Sequence, residues 1–167
     1  ARATDPDGMG TVTLAYQVVD PGNYIRLTDP AYATTWTTTA MVDDGTNGDL
    51  LAGDSVFTAV LPAAVQTNRR IIRYKVTAAD SLGNAVSVPY ADDEQPNFAY
   101  FVYNGVPDWT GAMRPTSFAG FPATPPVTYP ASTLNSVATY HLIANATDVT
   151  NCQYNGSYNG VRFQGTF

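Results

Sequence analysis

The chain has 167 residues, of which 44% are hydrophobic and only 13% charged, so it can build a packed core and is too apolar for intrinsic disorder. Eight basic against fourteen acidic side chains leave a formal net charge of -6, which argues against nucleic acid and anionic membrane surfaces as partners. A single Cys excludes an internal disulfide and thiolate-based zinc ribbons and fingers, and a single His excludes a two-His metal site within the chain.

The first hundred or so residues alternate short β-type runs with turn clusters. Thr11 to Val19 places Val12, Leu14, Tyr16 and Val18 on one face, the period of two of a half-buried strand. Asp20-Pro21-Gly22-Asn23 stops it, because Pro cannot donate to the ladder and Gly accepts positive φ. Tyr24 to Thr28 and the β-branched stretch Thr35 to Val42, which carries Trp36, are expected as the second and third strands. Ser55 to Leu61 alternates Val56, Thr58 and Val60 against Phe57, Ala59 and Leu61 and is expected as the fourth. Arg70 to Ala79 carries the strongest alternation and runs into the hairpin turn Asp80-Ser81-Leu82-Gly83-Asn84. Ala85 to Val88 and Phe98 to Tyr103 complete the set. Short strands with regular turn signals predict an all-β fold, an immunoglobulin-like antiparallel β-sandwich over residues 1–105.

The character changes after Gly105. Pro107, Pro115, Pro122, Pro125, Pro126 and Pro130 punctuate residues 106–134, which forbids helix and interior strand. Trp109, Phe118, Phe121 and Tyr129 lie among them, and large aromatics cost roughly 1.5–3 kcal/mol each to leave in water. The segment reads either as a solvated linker or as an extended docking segment on a partner surface. In residues 135–167, Asn135 to Ile143 and Gly160 to Phe167 are expected as two further strands around a polar Asn/Gly-rich loop. Their apolar residues, Val161, Phe163 and Phe167 among them, call for a partner sheet or groove.

Three stretches carry a resemblance. Asp43-Asp44-Gly45-Thr46-Asn47-Gly48-Asp49-Leu50-Leu51-Ala52-Gly53-Asp54-Ser55-Val56-Phe57-Thr58-Ala59 resembles the D-D-G-x-x-G-D-x-x-A-G-D-G-V-Y-T-A signature of bacterial extracellular immunoglobulin-like (fibronectin-III-like) modules. It departs from that signature at Ser55, where Gly is usual, and at Phe57, where Tyr is usual. Arg73 to Asn84 is similar to the strand–turn pair Y-x-V-x-A-x-D-x-x-G-N of the same modules. Tyr140 to Ile143 with Tyr154 to Thr166 resembles the entry segment of the spore-coat-protein-H (CotH) kinase-like domain of large secreted bacterial proteins. The resemblance implies that residues 135–167 begin a truncated kinase-like domain, and no catalytic residue of that domain has a matching position here.

The acidic loop is the one candidate for a site. Asp43, Asp44, Asn47, Asp49 and Asp54, spaced by Gly45, Gly48 and Gly53, supply hard oxygen ligands suited to Ca²⁺. The same Asp and Asn side chains also suit successive turns in which they bond their own backbone. Asp92-Asp93-Glu94 reads as a solvated loop, His141 as a structural histidine, and Cys152 as a small half-buried hydrophobe. Asn145-Ala146-Thr147 and Asn155-Gly156-Ser157 match the N-glycosylation pattern.

The sequence therefore predicts a non-catalytic structural or assembly module of a bacterial surface or secreted protein. It starts without Met or a signal-peptide pattern and stops inside an expected strand, so a longer polypeptide is expected. Its expected partners are other domains of that polypeptide or copies of itself, joined by strand addition. The alternatives are a carbohydrate-binding module, with Trp36 and Trp109 stacking on sugars of a polysaccharide, and the N-terminal fragment of a CotH-like kinase protein.

Overall fold

The computed structural model describes residues 1–114, 116–117, 119–154 and 165–166. Most regular structure is β-strand in antiparallel sheets, with a few short helices, so the chain is all-β. It divides into two compact units, residues 1–19 with 27–102 and residues 20–26 with 103–167. The expected calls at Phe118, Val161, Phe163 and Phe167 fall outside the described residues.

The first unit is built on β1 (Met9–Val19) and β3 (Ile71–Asp80), the two strands of strongest alternation. They run antiparallel, with Leu14 opposite Val76 and Gln17 opposite Arg73. β2 (Thr37–Met41) lies on the other side of β1. The far edge of β3 is shared by two short strands, β4 (Ala85–Val88) beside Val76 to Ala79 and β5 (Phe98–Phe101) beside Ile71 to Tyr74. The ladder shifts register between Met9 and Val12, and Gly10 sits there because a Cβ would lie 2.3 Å from the Asp80 carbonyl oxygen.

Over one face of this sheet lies a thinner layer. Arg2 bridges Val56 and Val42 bridges Thr58, so Ala1–Ala3, Val56–Thr58 and Val42 run side by side. Between the layers Val12, Leu14 and Val76 form the core, packed by Ala3, Met41, Phe57, Ala59 and Leu61. The expected strand Ser55 to Leu61 is thus corrected to two isolated bridges. Its alternation is real, since Phe57, Ala59 and Leu61 all face the core, but each neighbour offers it only one bridged residue.

Other expectations also fail locally. Tyr24 to Thr28 forms no strand; Arg26 turns aside to pair with Asp148, and Gly22 accepts a backbone bond from Ala146. Trp36 precedes β2 and follows α1 (Pro30–Thr34), a single turn started by Pro at its first position.

In the second unit β6 (Trp109–Gly111) pairs with β7 (Val127–Tyr129). Pro122, Pro125 and Pro126 lie in the connecting loop, and Pro107 and Pro130 lie outside the strand ends, where no ladder donor is needed. The loop is braced by paired bonds between Arg114 and Thr124, the Thr124 amide donating to the Arg114 carbonyl at 2.7 Å. The Pro-rich segment is therefore a ribbon folded on itself, not an extended strap. Its last residues form a short helix, α2 (Ala131–Leu134), which corrects the expectation of no helix in 106–134: Pro130 stands ahead of the first turn, where its missing N–H costs no helical bond.

The expected strand Asn135 to Ile143 shrinks to its last residue. β8 (Ile143–Ala144) pairs with β9 (Gly165–Thr166), while Val137, Tyr140 and Leu142 stay exposed. The first part of the expected polar loop is instead α3 (Ala146–Tyr154), which begins after Asn145, whose side chain accepts the Thr147 amide at 3.0 Å as a cap, and the rest of that loop lies outside the described residues. Cys152 on α3 is exposed rather than half-buried, and no described helix is long and apolar enough to cross a membrane.

Candidate functional site

The acidic loop folds around its carboxylates. Asp43 accepts three backbone amides, from Gly53 at 2.8 Å, Asp54 at 3.2 Å and Ser55 at 2.9 Å. Asp49 is buried and accepts the Gly45 amide at 2.7 Å, while its neighbour Leu50 is 97% exposed. An Asp inside and a Leu outside invert the usual preference, because here the carboxylate closes the turn. Gly48 is obligatory, with φ at +91° and a Cβ that would lie 2.9 Å from Val60. Ser55 has φ +67°, the left-handed conformation for which Gly at that position of the signature is suited.

Of the five residues expected as ligands, the structure brings three together. Asp43, Asp49 and Asp54 each place a carboxylate oxygen within 4.8 Å of the others, and these offer oxygen donors to a hard cation such as Ca²⁺. Asp44 is turned to the Thr46 amide and hydroxyl instead, and Asn47 donates to the Thr46 hydroxyl.

On the opposite face of the β1–β3 pair lies a polar cluster that the alternation pattern did not single out. Gln17 is fully buried and Arg73 is 4% exposed. The Arg73 guanidinium donates to the Gln17 side-chain oxygen at 3.0 Å, and the Gln17 amide donates to the Thr35 hydroxyl at 2.8 Å and to carbonyls of α1. Tyr32 edges onto Trp36, with Lys75 above the Trp36 ring at 4.5 Å and Arg73 above the Tyr32 ring at 5.6 Å. Burial raises the Tyr32 pKa, partly offset by the Arg73 charge, and burial lowers that of Lys75. A polar residue at the same face position in two strands, Gln17 and Arg73, was the available signal. Among the described residues no buried side-chain nitrogen or oxygen lacks a partner, so this cluster is satisfied by its own members.

A third feature is a strip of apolar side chains outside the core. Val88 lies opposite Val76, Val86 opposite Ala78, Phe98 opposite Tyr74 and Tyr100 opposite Ile72, so all four share the core-facing side of the sheet. The thin second layer does not cover them: Val86 is 48% exposed and Phe98 44%. Beside β4 the strip drops into a groove of about 510 Å³ between that strand and the Ala1–Asp5 segment. At the groove's end Asp5, Asp7 and Asp80 bring carboxylate oxygens within 4.8 Å of one another. Asp80 accepts the Leu82 and Asn84 amides and the Asn84 side chain, and these bonds, the Asn84 side chain first, hold its pKa below the ordinary value.

In the second unit Trp109 and Tyr129 stack across the ribbon, with ring centroids 5.8 Å apart and both rings exposed. Phe121 is exposed beneath the Arg114 guanidinium. His141 meets Tyr103 edge-on in an aromatic contact. Comparison with protein-family models, curated proteins and solved structures yields no match.

Proposed function

We propose that the chain is a non-catalytic extracellular structural module of a bacterial surface or secreted protein, an immunoglobulin-like sandwich that joins neighbouring domains or copies of itself. The observation that carries this reading is the uncovered strip Val86, Val88, Phe98 and Tyr100 on the core side of the sheet. Apolar side chains on a core face that no second layer covers are a surface for association. Two layers enclosing Val12, Leu14 and Val76 support the sandwich, and the resemblance of the acidic loop and of Arg73 to Asn84 supports the family and the extracellular setting. The stretches similar to the CotH entry segment support a place directly before a kinase-like domain.

Sedimentation velocity over a range of concentrations tests the association. The intact chain sediments faster as concentration rises, and Val88→Lys with Phe98→Lys restores a monomer with an unchanged circular-dichroism spectrum. A monomer at every concentration for the unsubstituted chain, together with no binding of the adjoining parent domain, refutes the reading.

A second reading rests on the Trp109–Tyr129 stack, an exposed aromatic platform of the kind that packs on sugar rings. Pull-down on insoluble polysaccharides, lost in Trp109→Ala, favours a carbohydrate-binding module. Equal retention of the two proteins removes it.

A further inference from the structure

The groove beside β4 has three properties that seldom coincide. Its floor is apolar, formed by Val76 and Ala78 of β3 with Val86 and Val88 of β4, the last two substantially exposed. Its wall is an extended segment with one edge in use: the Ala3 amide donates to the Ser55 carbonyl and the Ala1 carbonyl accepts from Phe57. Arg2 occupies the non-hydrogen-bonded position of that pair, so its own N–H and C=O are directed away from Val56, to the unused edge. Its end is acidic, with the Asp5, Asp7 and Asp80 carboxylates gathered together. Arg2, which also lines the groove, stands on the wall.

Each property selects a feature of the occupant. An open backbone edge takes another extended backbone, which supplies main-chain hydrogen bonds in register. An apolar floor takes small or branched side chains at every second position of that backbone. Gathered carboxylates in a chain of net charge -6 take a cation. Building on the reading of the chain as an association module, we propose that this groove binds an extended peptide of a partner protein. The peptide adds as a strand along Ala1–Asp5, sets alternate apolar side chains on Val76, Ala78, Val86 and Val88, and brings a Lys or Arg to Asp5, Asp7 and Asp80.

The test is fluorescence anisotropy with a labelled peptide, Lys-Val-Thr-Val-Thr-Val amide, at protein concentrations where sedimentation shows a monomer. The peptide binds saturably, and replacing its Lys by Glu weakens binding by about tenfold or more, since attraction to the carboxylates becomes repulsion. Replacing its central Val by Pro, which removes a ladder N–H, weakens binding to a similar degree. In the protein, Asp5→Asn with Asp7→Asn lowers affinity for the Lys peptide severalfold and leaves an Ala-for-Lys peptide unaffected. Both positions are exposed and Asn keeps the Asp5 side-chain acceptor for the Asp7 amide, so a matching thermal melt shows that the fold is intact.

Absence of saturable binding up to the highest concentration at which the protein is monomeric overturns the proposal, as does equal affinity for the Lys and Glu peptides or indifference to Pro. If Val86→Thr abolishes self-association while the monomer still ignores the peptide, the groove serves a second copy. The peptide proposal then fails and the structural-module reading stands. If the peptide binds a chain that never self-associates and ignores its parent domain, the groove stands and that reading falls.

Discussion

The two faces of the β1–β3 pair are made from the same strands in the same register, yet they are held by different physics. On one face Val12, Leu14 and Val76 are buried under a thin layer of loop, and their stability comes from apolar area removed from water. On the other, Gln17 and Arg73 are buried just as deeply under α1, and every polar atom must find a geometric partner. The apolar face tolerates a cover that is barely regular, because burial has no direction. The polar face needs one particular turn, Pro30–Thr34, at one particular place, because hydrogen bonds do. The lesson is that burial alone does not say what kind of element must lie above a sheet.

The largest effect expected from this contrast is at the apolar core. Leu14→Ala removes buried methyl groups and leaves a cavity, costing about 2–5 kcal/mol in denaturant unfolding. An effect under 1 kcal/mol would mean that the thin layer does not exclude water from Leu14.

The polar face should behave non-additively. Arg73→Met leaves the Gln17 side-chain oxygen buried without its donor and costs about 1–3 kcal/mol. Adding Gln17→Leu removes the orphaned amide and recovers much of that loss, as replacing both partners of a buried pair does elsewhere. Additive losses in the double variant would show that the two side chains are not coupled.

Smaller effects come from the loop that leads into the cover of the apolar face. Asp43→Ala deprives the Asp54 and Ser55 amides of their acceptor, leaves the Gly53 amide only the Asp43 carbonyl, and costs about 1–2 kcal/mol, while loosening protection of the Ser55–Thr58 amides in hydrogen exchange. Ser55→Gly relieves a left-handed backbone and gains up to about 1 kcal/mol, with the midpoint of unfolding moving upward. A loss on that substitution would place Ser55 in a different conformation.

The smallest effect is a pH dependence of the polar face, which carries Lys75 and Tyr32. Burial lowers the Lys75 pKa from 10.5, so the folded state binds fewer protons than the unfolded between the lowered value and 10.5. Stability attributable to Lys75 therefore rises with pH through that window. Tyr32, raised from 10.0, has the opposite sign: its contribution is full below 10.0 and is lost as pH climbs through the raised value. Comparing Tyr32→Phe alone with Tyr32→Phe plus Lys75→Met isolates the lysine limb, and an alkaline profile identical in the two would remove it.

The sequence by itself determined the all-β class and the two central strands, because Thr11 to Val19 and Arg70 to Ala79 alternate over many residues and period two is a property of the strand alone. It also located the acidic loop, since Asp, Asn and Gly act through their own backbone within a few residues. What it could not supply was partnership. Ser55 to Leu61 and Asn135 to Ile143 carry strand-like patterns, yet a ladder requires a neighbour, and only the tertiary structure decides whether one is there. The same holds for Asn145-Ala146-Thr147, a glycosylation pattern in sequence and a helix cap in the fold. It holds again for Val86 and Val88, whose alternation says which side they face but not that the second layer stops short of them. Local pattern fixes which way a side chain points; what meets it there is decided by residues far away in the chain.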